Sequence, residues 1–302
     1  MTVLVAGATG SIGKEVVAAL LARDTDGVRA LVRSPERARL LPPGVEPVFA
    51  DLCDSAAVVA ALTGVSAALY VSPHDPDEER MAETFVGACD RLGIRLVFAG
   101  VYIGGSNIVT RSLIRALIGV AFPHYRGKLR IGRRMIRAKG RPVVFGLANF
   151  YQNDELIREE ILAGRYSLPT HDDGVNRIDL RDVGEVVSRA LTDPEFPPGG
   201  HALAGPESVS GRQAARIWSD ALGHPVRYDG ARPDWATPLS RRLSGQKLTD
   251  FQRSYGFLAK RGTPTSQADV AATTRLLGRP PRRYETYVRD MAGAWSLEQR
   301  PR

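Results

Sequence analysis

Val3-Leu4-Val5-Ala6-Gly7-Ala8-Thr9-Gly10-Ser11-Ile12-Gly13 is the stretch that decides the fold class. Four apolar residues predict a short buried strand, and after the glycines Val16, Val17, Leu20 and Leu21 recur at helical spacing. Strand, glycine turn and helix follow one another in the order that a dinucleotide pyrophosphate site requires. Gly7 permits the tight turn, Gly10 lets the backbone approach the phosphates, and Gly13 lets the helix pack against the strand, the helix N-terminus facing the anion. Thr9, Ser11 and Ile12 share that turn and join the three glycines as candidate cofactor-binding residues. Glycine turns also occur as plain structure, but here the flanks match on both sides.

The second strand bears on which dinucleotide. Val28-Arg29-Ala30-Leu31-Val32 runs into Arg33, about twenty residues past the glycines, where NAD sites carry Asp or Glu for the ribose 2′-hydroxyl. Arg33 instead offers a planar cationic fork to a 2′-phosphate, with Arg37 or Arg39 assisting from the next turn. An ordinary surface arginine is the alternative in an arginine-rich chain. With no acid at positions 29–35, the expected cofactor is NADPH/NADP.

Composition sets outer bounds. The 302 residues exceed one nucleotide-binding module of about 150. We therefore expect residues 1–150 to form an NADP-binding domain and 151–302 mainly a substrate-binding lobe, with some segments returning to the first domain's sheet. Hydrophobic residues make up 43% of the chain, and no apolar run approaches the roughly 20 residues of a membrane span. The first strand starts at once, so no signal peptide is expected, and a cytoplasmic location follows. Cys53 and Cys89 lack metal-ligand or redox spacing, and no metal site is expected. A net charge of +8 invites a nucleic-acid reading, but no binding motif or aromatic interleaving supports one. The expected partner is a small molecule, neither nucleic acid nor membrane, on a monomer or homodimer.

Along the chain, strands near 2–6, 28–32, 46–50, 67–71 and 94–99 alternate with helices near 11–23, 34–41, 54–63 and 77–92. Short connections in a βα repeat predict a doubly wound, Rossmann-type parallel sheet in an α/β protein. Ligands gather at the carboxyl ends of such strands. Those ends carry Asp51-Leu52 after the third strand, Val71-Ser72-Pro73 after the fourth, and Ala99-Gly100-Val101-Tyr102 after the fifth. Asp51 is a candidate for the adenine edge, or simply part of a helix start.

Taken together, the chain resembles the NmrA-like branch of the atypical short-chain dehydrogenases/reductases. The likeness rests on the G-A-T-G-x-x-G turn, the arginine after strand two, the Asp-Leu after strand three, and His124-x-x-x-Lys128 at a helix start. It extends through Ala148–Asn153 (A-N-F-Y-Q-N), Arg177–Val183 (R-I-D-L-R-D-V) and Ala202–Glu207 (A-L-A-G-P-E). The resemblance implies an NADP-binding lobe with a smaller substrate lobe, and it places Asn149 and Phe150 over the nicotinamide. Tyr151 of that segment, with Val101 and Tyr102, is a candidate substrate contact. Asp182 is expected to cap a helix over Val183–Leu191. The branch contains reductases and proteins that merely sense the cofactor, so membership alone does not imply catalysis.

Departures from the family's relatives matter as much. Standard short-chain reductases use Ser or Thr after strand five to hold the carbonyl oxygen, and Y-x-x-x-K to donate the proton and bind the nicotinamide ribose. Here the Ser position reads Gly100-Val101, the Tyr position aligns with His124, and Lys128 survives as ribose ligand. Tyr125 lies three residues from Lys128 instead of four, rotated by about 100° on a helix. The proton is assigned to His124, Tyr125, Tyr102, water or the substrate itself. A phenol beside the ketone serves that last role, as in angucyclinone-type polyketides. The resulting expectation is a ketoreductase of a bulky aromatic or polyketide carbonyl, as in antibiotic biosynthesis. A quinone reductase and a non-catalytic NADP(H) sensor remain open. Twelve basic residues and no acid lie between Asp90 and Asp154, either a solvated face or a positive rim steering an anionic substrate.

Overall fold

A computed structural model describes residues 1–101 and 125–298. The chain divides into two compact units: residues 1–147 with 180–203, and residues 148–179 with 204–302.

In the first unit the strands are β1 (Val3–Ala6), β2 (Val28–Val32), β3 (Val45–Phe49), β4 (Ala67–Val71), β5 (Arg95–Val101), β6 (Val143–Leu147) and, after an excursion, Gly199–Leu203. They form one parallel sheet in the order Gly199–Leu203, β6, β5, β4, β1, β2, β3. The helices between them are α1 (Ser11–Leu21), α2 (Pro35–Ala38), α3 (Ser55–Leu62), α4 (Glu78–Leu92) and α5 (Tyr125–Ile136). This is the doubly wound Rossmann-type sheet the alternation predicts. β1 to β3 progress toward one edge, whereas β4 to β6 build on the other side of β1. That reversal opens a crevice at the carboxyl ends of β1 and β4, where ligands bind in open α/β sheets.

Burial explains the strand reading. Val3, Leu4, Val5 and Ala6 are fully buried, as are Ala68, Leu69 and Tyr70 in β4. Parallel strands covered on both faces read as continuous apolar runs, and the central ones here do so. Leu4, Ala6, Tyr70, Leu96 and Phe98 pack with Phe85 and Met81 of α4 and with Ile131 and Met135 of α5. β3 is one of the two edge strands; it carries Pro47 and an exposed Phe49. Helix α3 is capped by Asp54, whose carboxylate accepts from the backbone N–H of Ala56 and Ala57.

A last helix of this unit spans Leu180–Thr192. It begins before the expected cap, so Asp182 lies in the first turn and does not precede it. The reason is packing: Leu180, Val183, Val187 and Leu191 make one buried stripe that carries the helical register upstream. Asp182 still sits where a helix N-terminus favours a carboxylate.

The second unit contains a three-stranded sheet of Asn149–Phe150, Val175–Ile178 and Ser208–Val209. Its core is aromatic: Tyr151, Tyr166, Trp218, Tyr284, Tyr287 and Trp295, with Trp218 and Trp295 stacked at 4.7 Å. Inside it lies an ion pair, Arg177 to Asp154 at 2.6 Å, with side chains 3% and 0% exposed. Every charge there is matched. Arg177 donates to the carbonyls of Phe150 and Tyr151, and Asp154 accepts from Tyr166, Trp218 and Tyr284 hydroxyl or indole groups. Such a network is tolerated only when fully satisfied.

Candidate active site

The crevice of the first unit is built from the backbone outward. Gly7 adopts φ of +94°, which favours glycine, and the turn is closed by Gly10 N–H donating to Gly7 O at 2.9 Å. A side chain on Gly13 would overlap the Gly7 carbonyl, so the helix can start this close to the strand only with glycine there. Gly10 is the N-cap of α1, and no side chain caps the helix. The first N–H groups of α1 are thus left to an incoming anion, beside exposed Gly7, Gly10 and Ser11. Thr9 and Ile12 are half-buried in the same turn. Val71, at the end of β4, lies against Gly7, and this places Ser72 and Pro73 along the same edge. This cradle fits a dinucleotide pyrophosphate.

Arg33 is exposed at the end of β2. Its Nη2 lies 3.6 Å from the Met81 sulfur and 3.8 Å from Asp75 Oδ2. Asp51 is exposed after β3 and accepts from Cys53 N–H at 2.9 Å; Leu52 is buried. Asp51 therefore shapes its own turn, whatever else it touches.

Lys128 stands in the first turn of α5. Its Nζ lies 2.7 Å from Glu78 Oε2 and 3.5 Å from the Pro73 carbonyl oxygen. Ser72 Oγ donates to the same Glu78 oxygen at 3.2 Å. Nothing in the sequence distinguishes Glu78 from its neighbour Glu79, and only the folded crevice selects it. Asp75 was equally silent. Gly100, on β5, pairs with Gly146 of β6, and Ala99 is buried. A Cβ on Gly100 would sit 3.0 Å from Phe98 Cζ and closer still to Cε1. Position 100, where the sequence reading expects a carbonyl-binding hydroxyl in standard short-chain reductases, is thus a glycine with the tip of the Phe98 ring crowded against it.

Tyr102 and His124 lie outside the described residues, as do the side chains of Val101 and Tyr125. Asn149, Phe150 and Tyr151 belong to the second unit. Asn149 Oδ1 accepts from Asn153 and from Tyr255 at 3.2 and 3.3 Å, and the Phe150 carbonyl is bound by Arg177. Tyr151 corrects an expectation: it is 0% exposed, its ring packs on Tyr284 and Tyr287, and its hydroxyl donates to the Arg282 carbonyl. A core side chain of this kind has no surface to offer a substrate.

The basic run of α5 does not stand alone either. Arg130 pairs with Glu79, and Arg134 pairs with Glu83 and Asp90, all from α4. The Arg130 hydrogen bond holds the Glu79 carboxyl below its usual range. Burial pushes the Cys89 thiol up to about 12, which makes it an inert core residue. Among the described residues no group of His, Cys, Asp and Glu is placed to hold a metal, and no helix is long and apolar enough to cross a membrane.

The NmrA-like family model matches residues 1–252. The chain belongs to that family. A curated relative from Streptomyces griseus subsp. griseus, (4-alkanoyl-5-oxo-2,5-dihydrofuran-3-yl)methyl phosphate reductase, is 30% identical over 98% of this chain and 100% of its own. The NAD(P)H azoreductase of Xenophilus azovorans is 28% identical over 97% of this chain and 99% of its own. Among solved structures, the NADPH-dependent quinone oxidoreductase of Escherichia coli in complex with NADPH superposes with a TM-score of 0.75 at 18% identity, covering 96% of this chain and 99% of that one.

Proposed function

We propose that this NmrA-like protein is an NADPH-dependent reductase of a bulky aromatic carbonyl that supplies its own anion stabilisation. The oxidoreductase class and the NADP(H) cofactor come with the family relatives. The substrate class rests on one observation: the crevice keeps Lys128 in place while position 100 is glycine with Phe98 beneath it. No hydroxyl can therefore project from residue 100 to hold a carbonyl oxygen. A phenol beside the ketone forms an internal hydrogen bond that polarises the carbonyl and receives the charge developing on its oxygen.

NADPH supplies hydride when bound. The chain's own residues bind and orient. The turn N–H groups between Gly7 and Gly13 receive the pyrophosphate, Arg33 the 2′-phosphate, and Lys128 a hydroxyl of the nicotinamide ribose, with Ser72, Pro73, Ala99 and Gly100 forming the adjoining edge. The remaining proton comes from His124, Tyr125, Tyr102 or water. Reduction of a quinone is the second reading. It is favoured by the azoreductase relative, because an azo group, like a quinone, takes hydride into a conjugated system that itself carries the charge.

The test uses purified protein, C4-deuterated NADPH and a hydroxylated polycyclic aromatic ketone. Deuterium should appear at the former carbonyl carbon. Methylation of the neighbouring phenol should lower kcat far more than it raises KM, since the hydrogen bond strengthens in the transition state. Binding of NADPH without turnover of any ketone, quinone or enone would leave the chain a cofactor sensor and end the proposal.

A further inference from the structure

We infer that Glu78 is a positioning residue for Lys128, and that it aims the lysine's ammonium at the nicotinamide ribose. This rests on the reading above that Lys128 meets that ribose. Glu78 is the first residue of α4, following Asp77, so its carboxylate sits where the helix N-terminus favours negative charge. It is also held from the other side by the Ser72 hydroxyl. Both Glu78 and Lys128 side chains are only 13% exposed, which sets this contact apart from ordinary surface ion pairs.

The approach of the two helices is built for this contact. A Cβ on Gly127 would lie 3.0 Å from Glu78 Oε1 and 3.2 Å from Glu79 Oε1. Glycine at 127 lets the start of α5 ride over the start of α4 without pressing on these two carboxylates. Yet the pair is not needed to dock α5 on α4, because Arg130–Glu79, Arg134–Glu83 and Arg134–Asp90 do so further along. Those three contacts are more exposed and lie away from the crevice edge; Glu78 alone among them grips the lysine beside Pro73.

The donor inventory says what the grip achieves. A lysine ammonium has three N–H donors on a flexible four-carbon stem. Among the described residues Glu78 takes one and the Pro73 carbonyl another. The third is left for a ribose hydroxyl, in a direction fixed by the first two. Without Glu78 the stem regains its rotamers and must be ordered anew by each incoming cofactor.

The experiment measures calorimetric binding of two probes, NADPH and adenosine 2′,5′-bisphosphate, the second lacking the nicotinamide ribose. The proteins are the wild type, Glu78→Gln, Glu78→Ala, Lys128→Met and the double variant Glu78→Gln/Lys128→Met. Both Glu78 variants should weaken NADPH about tenfold and leave the bisphosphate unchanged. The double variant should bind NADPH no more weakly than Lys128→Met. A thermal melt reports whether each variant is folded, and the three remaining ion pairs should keep both Glu78 variants folded. Equal weakening of both probes, or additive losses in the double variant, would overturn the inference. Wild-type NADPH binding by the Glu78 variants, with Lys128→Met weakened, overturns the inference and leaves the ribose reading intact. Unchanged NADPH binding by Lys128→Met overturns the ribose reading first, and the inference with it.

Discussion

Replacing Arg33 by alanine should erase most of the preference for NADPH over NADH. A charge-assisted contact to a 2′-phosphate contributes about 1.5–3 kcal/mol, which alone corresponds to a preference of roughly tenfold to 150-fold. The structure lowers that figure, because Arg33 already has a carboxylate 3.8 Å away in Asp75. Arg33 is 53% exposed and Asp75 27%, so that pair is worth about 0–1 kcal/mol, and part of it must be given up when the phosphate arrives. The net preference becomes about 1–2.5 kcal/mol, or roughly fivefold to seventyfold. The Met81 sulfur under the guanidinium, at 3.6 Å, keeps the fork near the end of β2 before any ligand binds. Titration of both cofactors by calorimetry or by quenching of protein fluorescence reads the ratio directly. Arg33→Ala should bring it near one by weakening NADPH alone, and Asp75→Asn should raise it. A ratio unchanged in Arg33→Ala would refute the assignment of Arg33 to the 2′-phosphate.

Gly13→Ala should abolish NADPH binding and lower the melting temperature, because the new methyl meets the Gly7 carbonyl and separates helix from strand. Asp154→Ala should cost about 3–5 kcal/mol in denaturant unfolding, since it leaves the Arg177 guanidinium buried without its counter-charge. Below pH 6.5 the protein should lose stability as His201 is forced to charge. Burial lowers its pKa, so the unfolded chain binds the proton first and stability rises with pH in that window. Melting curves from pH 5 to 7.5 should flatten in His201→Gln.

Much of the first unit was legible because its signals are local. The glycine turn, the apolar runs of β1 and β4, and the 3.6-residue periodicity of α1 each need only a few neighbouring residues. What escaped was set by distance. The register of Leu180–Thr192 depended on the sheet it covers, so a capping rule misplaced its start at Asp182. Tyr151 sits in a polar, aromatic-rich stretch that reads as a ligand wall, and only the rings of Tyr284 and Tyr287, more than 130 residues on, show it to be core. Glu78 and Asp75 carried no signal because a carboxylate at a helix start or in the turn before it is ordinary, and its meaning came from Lys128 and Arg33 in other elements.

The basic stretch from Arg91 to Arg141 makes the same point about charge. Counted along the chain it contains no acid, and it invites a positive rim that steers an anionic substrate. Folded, α5 lies along α4, whose Glu78, Glu79, Glu83 and Asp90 face Lys128, Arg130 and Arg134. Paired charges 3 Å apart present a dipole to the surroundings and little net field beyond a Debye length of about 10 Å. Steering depends on that net field, so these three residues add little to it. Their work is short-range: two arginines fasten α5 to α4, and the lysine is left at the crevice edge with a fixed direction. If the chain reduces an aromatic carbonyl as proposed, these three paired residues place little demand on the charge that substrate carries.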